Sequence, residues 1–283
     1  WCCVQKNADL VPPVLKLLWI LLGTGEVHRD QHIPLGVRSR LRLFAAQCIL
    51  KLATCDAYAS LILPRMGRLS YALQDECFQV RMHLLHDLLL YLMRDELPTE
   101  FHAAIFLVAF DPEDEPRVQV ASYTRRLQVL PPIVRHERLE RIIVRFLHLL
   151  AHHPDLNAES PQTLCSFARY LEFYLACVAC ETNIGVLARF SACVRTYIDL
   201  SPSEPSVENS RPLYAMAELA QFLIQRLADN HGWTIYPVDE EAPCPKDILR
   251  STGTIARSVL DGEVWELLQQ QPRRHRDKKT KVA

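Results

Sequence analysis

Residues 138–151, RLERIIVRFLHLLA, carry apolar side chains at Leu139, Ile142, Ile143, Phe146, Leu147 and Leu150, with Glu140, Arg141, Arg145 and His148 on the other face. This i, i+3, i+4, i+7 spacing is the period of an amphipathic α-helix. The same period predicts helices over 37–53, 76–93, 99–110, 116–130, 162–180, 184–199 and 212–228. No stretch alternates strictly between apolar and polar, so the pattern predicts an all-α fold. Residues 201–212, SPSEPSVENSRP, read as an exposed loop between two helices. Residues 231–248 hold no helical period, yet Trp233, Ile235 and Tyr236 are too apolar for a free tail. That segment is expected to pack back over the last helices in extended form.

The helices repeat. GVRSRLRLFAAQCILKLA at 36–53 places Val37-Arg38 at a helix head, and DECFQVRMHLLHDLLLYL at 75–92 places Val80-Arg81 there. DPEDEPRVQVASYTRRLQVL at 111–130 brings Asp111 and Asp114, then Arg117-Val118 and Val120. The helix ends echo each other as well, AFDP at 109–112 and AHHPD at 151–155. A period near 40 residues built from helix pairs is the mark of a HEAT or armadillo-like array, a solenoid of stacked antiparallel helix pairs. In such a stack an Asp near the turn caps the second helix by accepting its free N–H groups. The Arg one turn in reaches the Asp of a neighbouring repeat, and the Val enters the inter-helix core. Asp75, Val80, Arg81, Asp111, Asp114 and Arg117 are therefore expected to be repeat joints. The array is expected to span 1–230, an extended segment with short helices 231–268, and a disordered basic tail 269–283.

Composition sharpens this picture. Of 283 residues, 49% are hydrophobic and only 8 are glycine, which suits helices and opposes a turn-rich β fold. The 10 cysteines resemble a disulfide count, but Cys48, Cys77, Cys165, Cys177 and Cys193 sit in apolar helical patterns, where Cys behaves as a small hydrophobe. A reducing compartment and a soluble protein follow as expectations. The chain opens on Trp1 rather than Met, which points to a fragment or a processed product. The net charge of −1 hides an asymmetry, because Arg273, Arg274, Arg276, Lys278, Lys279 and Lys281 cluster at the end of a mildly acidic body. This tail is the candidate contact for nucleic acid or an import receptor.

Four words then come in order: RLFAAQCILKLATCDAYASLI, LQDECFQVRMHLLHDLLLYL, LPTEFHAAIFLVAFDPEDEPR and LLAHHPDL. This order resembles the C-terminal half of the HEAT array in the precocious-dissociation-of-sisters family, the large regulatory subunits associated with cohesin. The resemblance covers about 120 residues well. It implies a nuclear, chromosome-associated scaffold without enzymatic activity, needing no cofactor. It also implies as partners the kleisin subunit of cohesin, the cohesin-release factor and the cohesin acetyltransferase, with chromatin association mainly indirect and no membrane contact. The alternatives are another HEAT scaffold, of nuclear-transport or phosphatase type, or nucleic-acid contact through the tail.

Candidate chemistry changes little. Cys177-Val-Ala-Cys180 has zinc or redox spacing, but no second pair follows, and both are expected to share the buried face of one helix. His83, His86 and Asp87 read as a solvated face. His152-His153 stands at a helix end, where polar or cationic groups suit the dipole. Nucleophile-elbow and phosphate-loop signatures are absent. Arg38, Arg40, Arg42 and Lys51, with Arg125, Arg126, Arg135, Arg138, Arg141 and Arg145, fit either of two readings. They are solvated faces with inter-repeat salt bridges, or a concave stripe that grips an acidic partner segment.

Overall fold

The computed structural model describes residues 11–26 and 33–270. Its helices are α1 (Val11–Thr24), α2 (Leu35–Ala53), α3 (Asp56–Ile62), α4 (Met66–Ser70), α5 (Phe78–Met93), α6 (Asp114–Gln128), α7 (Pro132–Arg135), α8 (Ile143–Ala151), α9 (Pro161–Val178), α10 (Ile184–Cys193), α11 (Arg211–His231) and α12 (Gly262–Gln270). The fold is an all-α, HEAT-like solenoid. Helix α2 packs between α1 and α5, and further along α11 packs on α8, α9 and α10. Local chemistry sets several boundaries. Ser160 caps α9 by accepting the Thr163 N–H, and Pro161 follows in the first turn, where a missing N–H costs nothing. Gly232 ends α11 at φ 69°, a left-handed conformation glycine adopts without penalty.

Thr99–Phe110 winds as a 3-10 helix rather than an α-helix. Residues Phe101 to Val108 are all buried, and α4, α5, α6, α8 and α9 surround the segment. A segment buried all round has no wet face to keep outward, so its winding is set by the packing around it, and its one buried imidazole, His102, bonds within the protein. Phe106 meets Tyr174 edge-on at 4.9 Å and Phe146 at 5.7 Å, forming the aromatic centre of the core. Tyr174 is fully buried and donates its hydroxyl to the Leu139 carbonyl at 2.6 Å.

Two departures from the sequence pattern lie downstream. The expected helix over 184–199 stops at Cys193, turns through Val194–Thr196, and becomes a strand, β1 (Tyr197–Asp199). This strand pairs antiparallel with β2 (Leu249–Ser251), Tyr197 opposite Ser251 and Asp199 opposite Leu249. The β-prone Thr-Tyr-Ile run finds its partner 50 residues away, a contact no local period can announce. The other departure is Tyr236, which is exposed, whereas its neighbours Trp233 and Ile235 pack on the core.

From Trp233 to Pro245 the chain has no regular secondary structure and crosses α10 at Gly185. A Cβ on Gly185 would lie 2.5 Å from the Tyr236 carbonyl oxygen, so the crossing needs a glycine there. Beyond β2, buried Glu218 of α11 accepts the N–H groups of Val259 and Leu260, both at 3.0 Å, and the Ser258 hydroxyl at 2.9 Å. Helix α12 packs on α9.

Candidate functional site

Two seams of charge run through the stack. In the first, Arg42 on α2 grips Asp75 with two hydrogen bonds, Nε to Oδ2 at 2.6 Å and a terminal nitrogen to Oδ1 at 2.9 Å. Arg81 on α5 repeats the grip on Asp111, with Nε to Oδ2 at 2.7 Å. The links are continuous. Arg81 also donates to the Asp75 carbonyl at 2.9 Å, and Arg117 donates to the Asp111 carbonyl and pairs with Asp114. Each gripping Asp lies two residues ahead of its helix cap and accepts one N–H, Cys77 for Asp75 and Glu113 for Asp111. The Arg six residues on then closes back on the Asp carbonyl. The repeating unit is thus an Asp that orders the turn, held from the helix before and from its own helix.

This geometry places each expected joint residue. Asp75, Arg81 and Asp111 lie in the seam, and Val80 is buried in the core beside it. Arg117 joins through a carbonyl, while Asp114 is exposed at the first turn of α6. The pairing of Val37-Arg38 with Val80-Arg81 does not hold in space. Val37 is exposed, Arg38 pairs with Glu26, and Arg42, one turn later, makes the link to Asp75. Turn lengths differ between repeats, so a fixed period slips by a turn.

The second seam lies on α7, α8 and the π-helical turn His136–Glu140 between them. The sequence pattern leaves Glu140, Arg141, Arg145 and His148 on a polar face, but the return of the chain from 199 to 247 covers most of it. Arg145 is buried and donates two bonds of 2.8 Å to Asp247. His136 bridges Glu140 at 2.6 Å and Glu240 at 2.8 Å, and Arg141 also reaches Glu240. Buried Glu140 accepts from Asn183 at 2.9 Å and faces Arg135 at 3.3 Å. The face is polar because it is complementary to acids that arrive late in the chain, not because it is wet.

At the end of this seam His148 on α8 and His152, the residue that caps its C-terminal end, both direct Nε2 at Asp199 of β1. His148 reaches Oδ1 at 3.3 Å and His152 reaches Oδ2 at 2.6 Å. His148 also contacts the Ser201 hydroxyl at 2.9 Å. The three donor atoms lie within 4.8 Å of one another, and this is the one such group of His, Cys, Asp or Glu among the described residues. Burial holds His148 below the ordinary histidine range, so it meets Asp199 as a neutral N–H donor. Burial opposes charge on Asp199 too, but the hydrogen bonds from both imidazoles keep it ionised and well below the usual carboxylate range. The i, i+4 histidines are visible in HLLAH; their third member, 47 residues away, is not.

Other candidates disperse. Cys177 is buried in α9, its thiol pushed up to about 11 by burial, whereas Cys180 lies past the helix end beside Thr182. The two do not share a helix face, because α9 stops at Val178. His83 and His86 are exposed on α5. Arg38, Arg42, Arg135, Arg138, Arg141 and Arg145 of the stripe pair with carboxylates of this chain, Arg138 with Asp95, which leaves fewer guanidinium groups for an acidic partner. The tail residues Arg273, Arg274, Arg276, Lys278, Lys279 and Lys281 lie outside the described residues.

A helical-repeat stack whose turns are held by a recurring Arg–Asp pair is a HEAT-like solenoid in class. The sequence profile of the family described as "Sister chromatid cohesion protein PDS5 protein" matches residues 3–250, and the chain belongs to that family. The chain is 27% identical to the sister chromatid cohesion protein pds5 of Schizosaccharomyces pombe over 245 residues, 86% of this chain and 20% of that protein. It is 24% identical to PDS5 of Saccharomyces cerevisiae over 280 residues, 89% of this chain and 22% of that protein. With PDS5 homolog A of Danio rerio it shares 34% identity over 157 residues, 51% of this chain and 12% of that protein. The chain thus spans about a fifth of the length of the two yeast relatives.

Proposed function

We infer that this chain is part of a scaffold that regulates cohesin in sister-chromatid cohesion and acts by binding rather than by chemistry. Membership of the family across residues 3–250 carries the reading. The fold supports it, because a solenoid stiffened by an internal charge seam keeps a long surface in one shape for an extended or helical partner. The joint residues Asp75, Val80, Arg81, Asp111, Asp114 and Arg117 serve that stiffness rather than contact the partner. The partners are the kleisin subunit of cohesin, the cohesin-release factor and the cohesin acetyltransferase, met in the nucleus on chromosomes.

The test is affinity capture with the whole chain as bait from nuclease-treated nuclear extract, read by mass spectrometry. Recovery of cohesin subunits and their release or acetylation factors supports the reading. Recovery of import receptors or a phosphatase in their place overturns it. The basic tail adds a separate expectation: nucleic-acid binding that falls steeply with salt and is lost when 272–283 are removed.

A further inference from the structure

We propose that His148, His152 and Asp199 form a binding site for a divalent transition-metal ion of the zinc class, which fastens β1 and the loop after it to α8. The inference stands apart from the cohesion reading, because it rests on geometry alone.

Two histidines at i and i+4 lie one above the other on a helix face, the spacing by which helices present paired imidazoles to zinc. Here both turn Nε2 to the same carboxylate, and the three donors lie within 4.8 Å. Zinc bonds of about 2.0–2.1 Å in a tetrahedral site hold neighbouring donors roughly 3.3 Å apart. His148 Nε2 and Asp199 Oδ1 already stand at 3.3 Å. With Asp199 Oδ1 as the single carboxylate donor, His152, now 2.6 Å from Oδ2, swings toward Oδ1; the His152 side chain is 36% exposed.

The third ligand is held in advance. Asp199 Oδ1 accepts the Ser201 N–H at 2.8 Å, the Asp199 N–H is bound by the Ser210 hydroxyl at 3.0 Å, and the strand is paired with β2. Such supporting bonds orient a ligating carboxylate. Two imidazole nitrogens with one carboxylate select zinc-class ions over calcium and magnesium, which take mainly oxygen donors. Arg145, the nearby cation, is neutralised by Asp247, so it does not repel an incoming ion. The fourth position goes to water or to the Ser201 hydroxyl, which lies 2.9 Å from His148 Nε2.

The experiment uses the whole chain, stripped with chelator and kept reduced. Zinc is titrated against a chromophoric competitor, and retained metal is counted by elemental analysis. We expect one zinc per chain, a zinc-dependent rise in melting temperature, and no competition from magnesium. His152→Ala, judged only if its zinc-free melting temperature stays near the wild type, weakens binding by at least about tenfold and removes the thermal shift. Asp199→Asn does the same if its zinc-free melting temperature matches the wild type. Because eight cysteines among the described residues form no disulfide, cobalt replaces zinc in a parallel titration: d–d bands without thiolate charge transfer identify this nitrogen–oxygen site. No retained zinc, wild-type affinity in His152→Ala, or a thiolate–cobalt spectrum overturns the proposal.

Discussion

Asp111→Ala breaks the most buried link of the first seam. Its carboxylate is 1% exposed and the Arg81 side chain 9%, so water cannot take over for either. The wild-type carboxylate accepts two bonds from Arg81, at 2.7 and 3.3 Å, and the Glu113 N–H at 2.9 Å. Removing it leaves a buried guanidinium held only by the Asp75 and Glu76 carbonyls. Stranding one partner of a buried pair costs about 3–5 kcal/mol. Arg81→Leu strands the Asp111 carboxylate with the Glu113 N–H and frees the Asp75 and Glu76 carbonyls, so it falls in the same range. In the double variant no unpaired charge remains. The two effects therefore fall short of additivity by about 2–3 kcal/mol. Urea unfolding of the four proteins, followed by helical circular dichroism, gives the cycle. A loss below about 1 kcal/mol for Asp111→Ala, or additivity within about 0.5 kcal/mol, would refute the claim that this seam joins the repeats energetically.

Three further outcomes are expected. His102 is buried, bonded to the Thr99 carbonyl and the Tyr123 hydroxyl, with Arg138 and Asp95 nearby, and burial lowers its pKa to about 4. Below pH 6.5 the unfolded chain takes a proton the folded ring refuses, so stability falls from pH 6.5 toward 4 by about 3 kcal/mol in total. His102→Asn should flatten that part of the stability–pH curve, and an unchanged slope counts against it. Gly185→Ala drives a Cβ into the Tyr236 carbonyl and should cost about 1–3 kcal/mol while exposing 233–245 to limited proteolysis; an unaltered digest contradicts the close crossing. Phe106→Ala empties the centre of the aromatic cluster and should cost about 3–5 kcal/mol by urea unfolding, whereas a loss under about 1 kcal/mol would place the core elsewhere.

The helices with a clean apolar stripe, such as α5, α9 and α11, were readable from spacing alone, and so was the Asp-to-Arg recurrence that builds the first seam. The register of its first link was not readable. Arg38 and Arg42 are both one turn from plausible positions, and only the turn length before Asp75 decides between them. The helix over 99–110 was readable, but its 3-10 winding was not, since apolar spacing does not separate α from 3-10 winding where Phe101 to Val108 are all buried. The polar face of α8 was legible as polar but not as buried, because the partners of His148 and Arg145, Asp199 and Asp247, follow 51 and 102 residues later. The histidine–aspartate cluster escaped for the same reason.

That separation gives the second seam a place in time. The first seam joins residues 30 to 33 apart, whereas the second joins Arg145 to Asp247 across 102 and His136 to Glu240 across 104. Closing a longer loop costs more entropy and slows the contact that closes it. The stack from α2 to α6 thus assembles from near neighbours, and the returning segment docks on α8 only after α8 has been placed. It is also the first part to detach when the protein is stressed. In pulsed hydrogen exchange during refolding, the amides of α5 gain protection before those of β1 and β2.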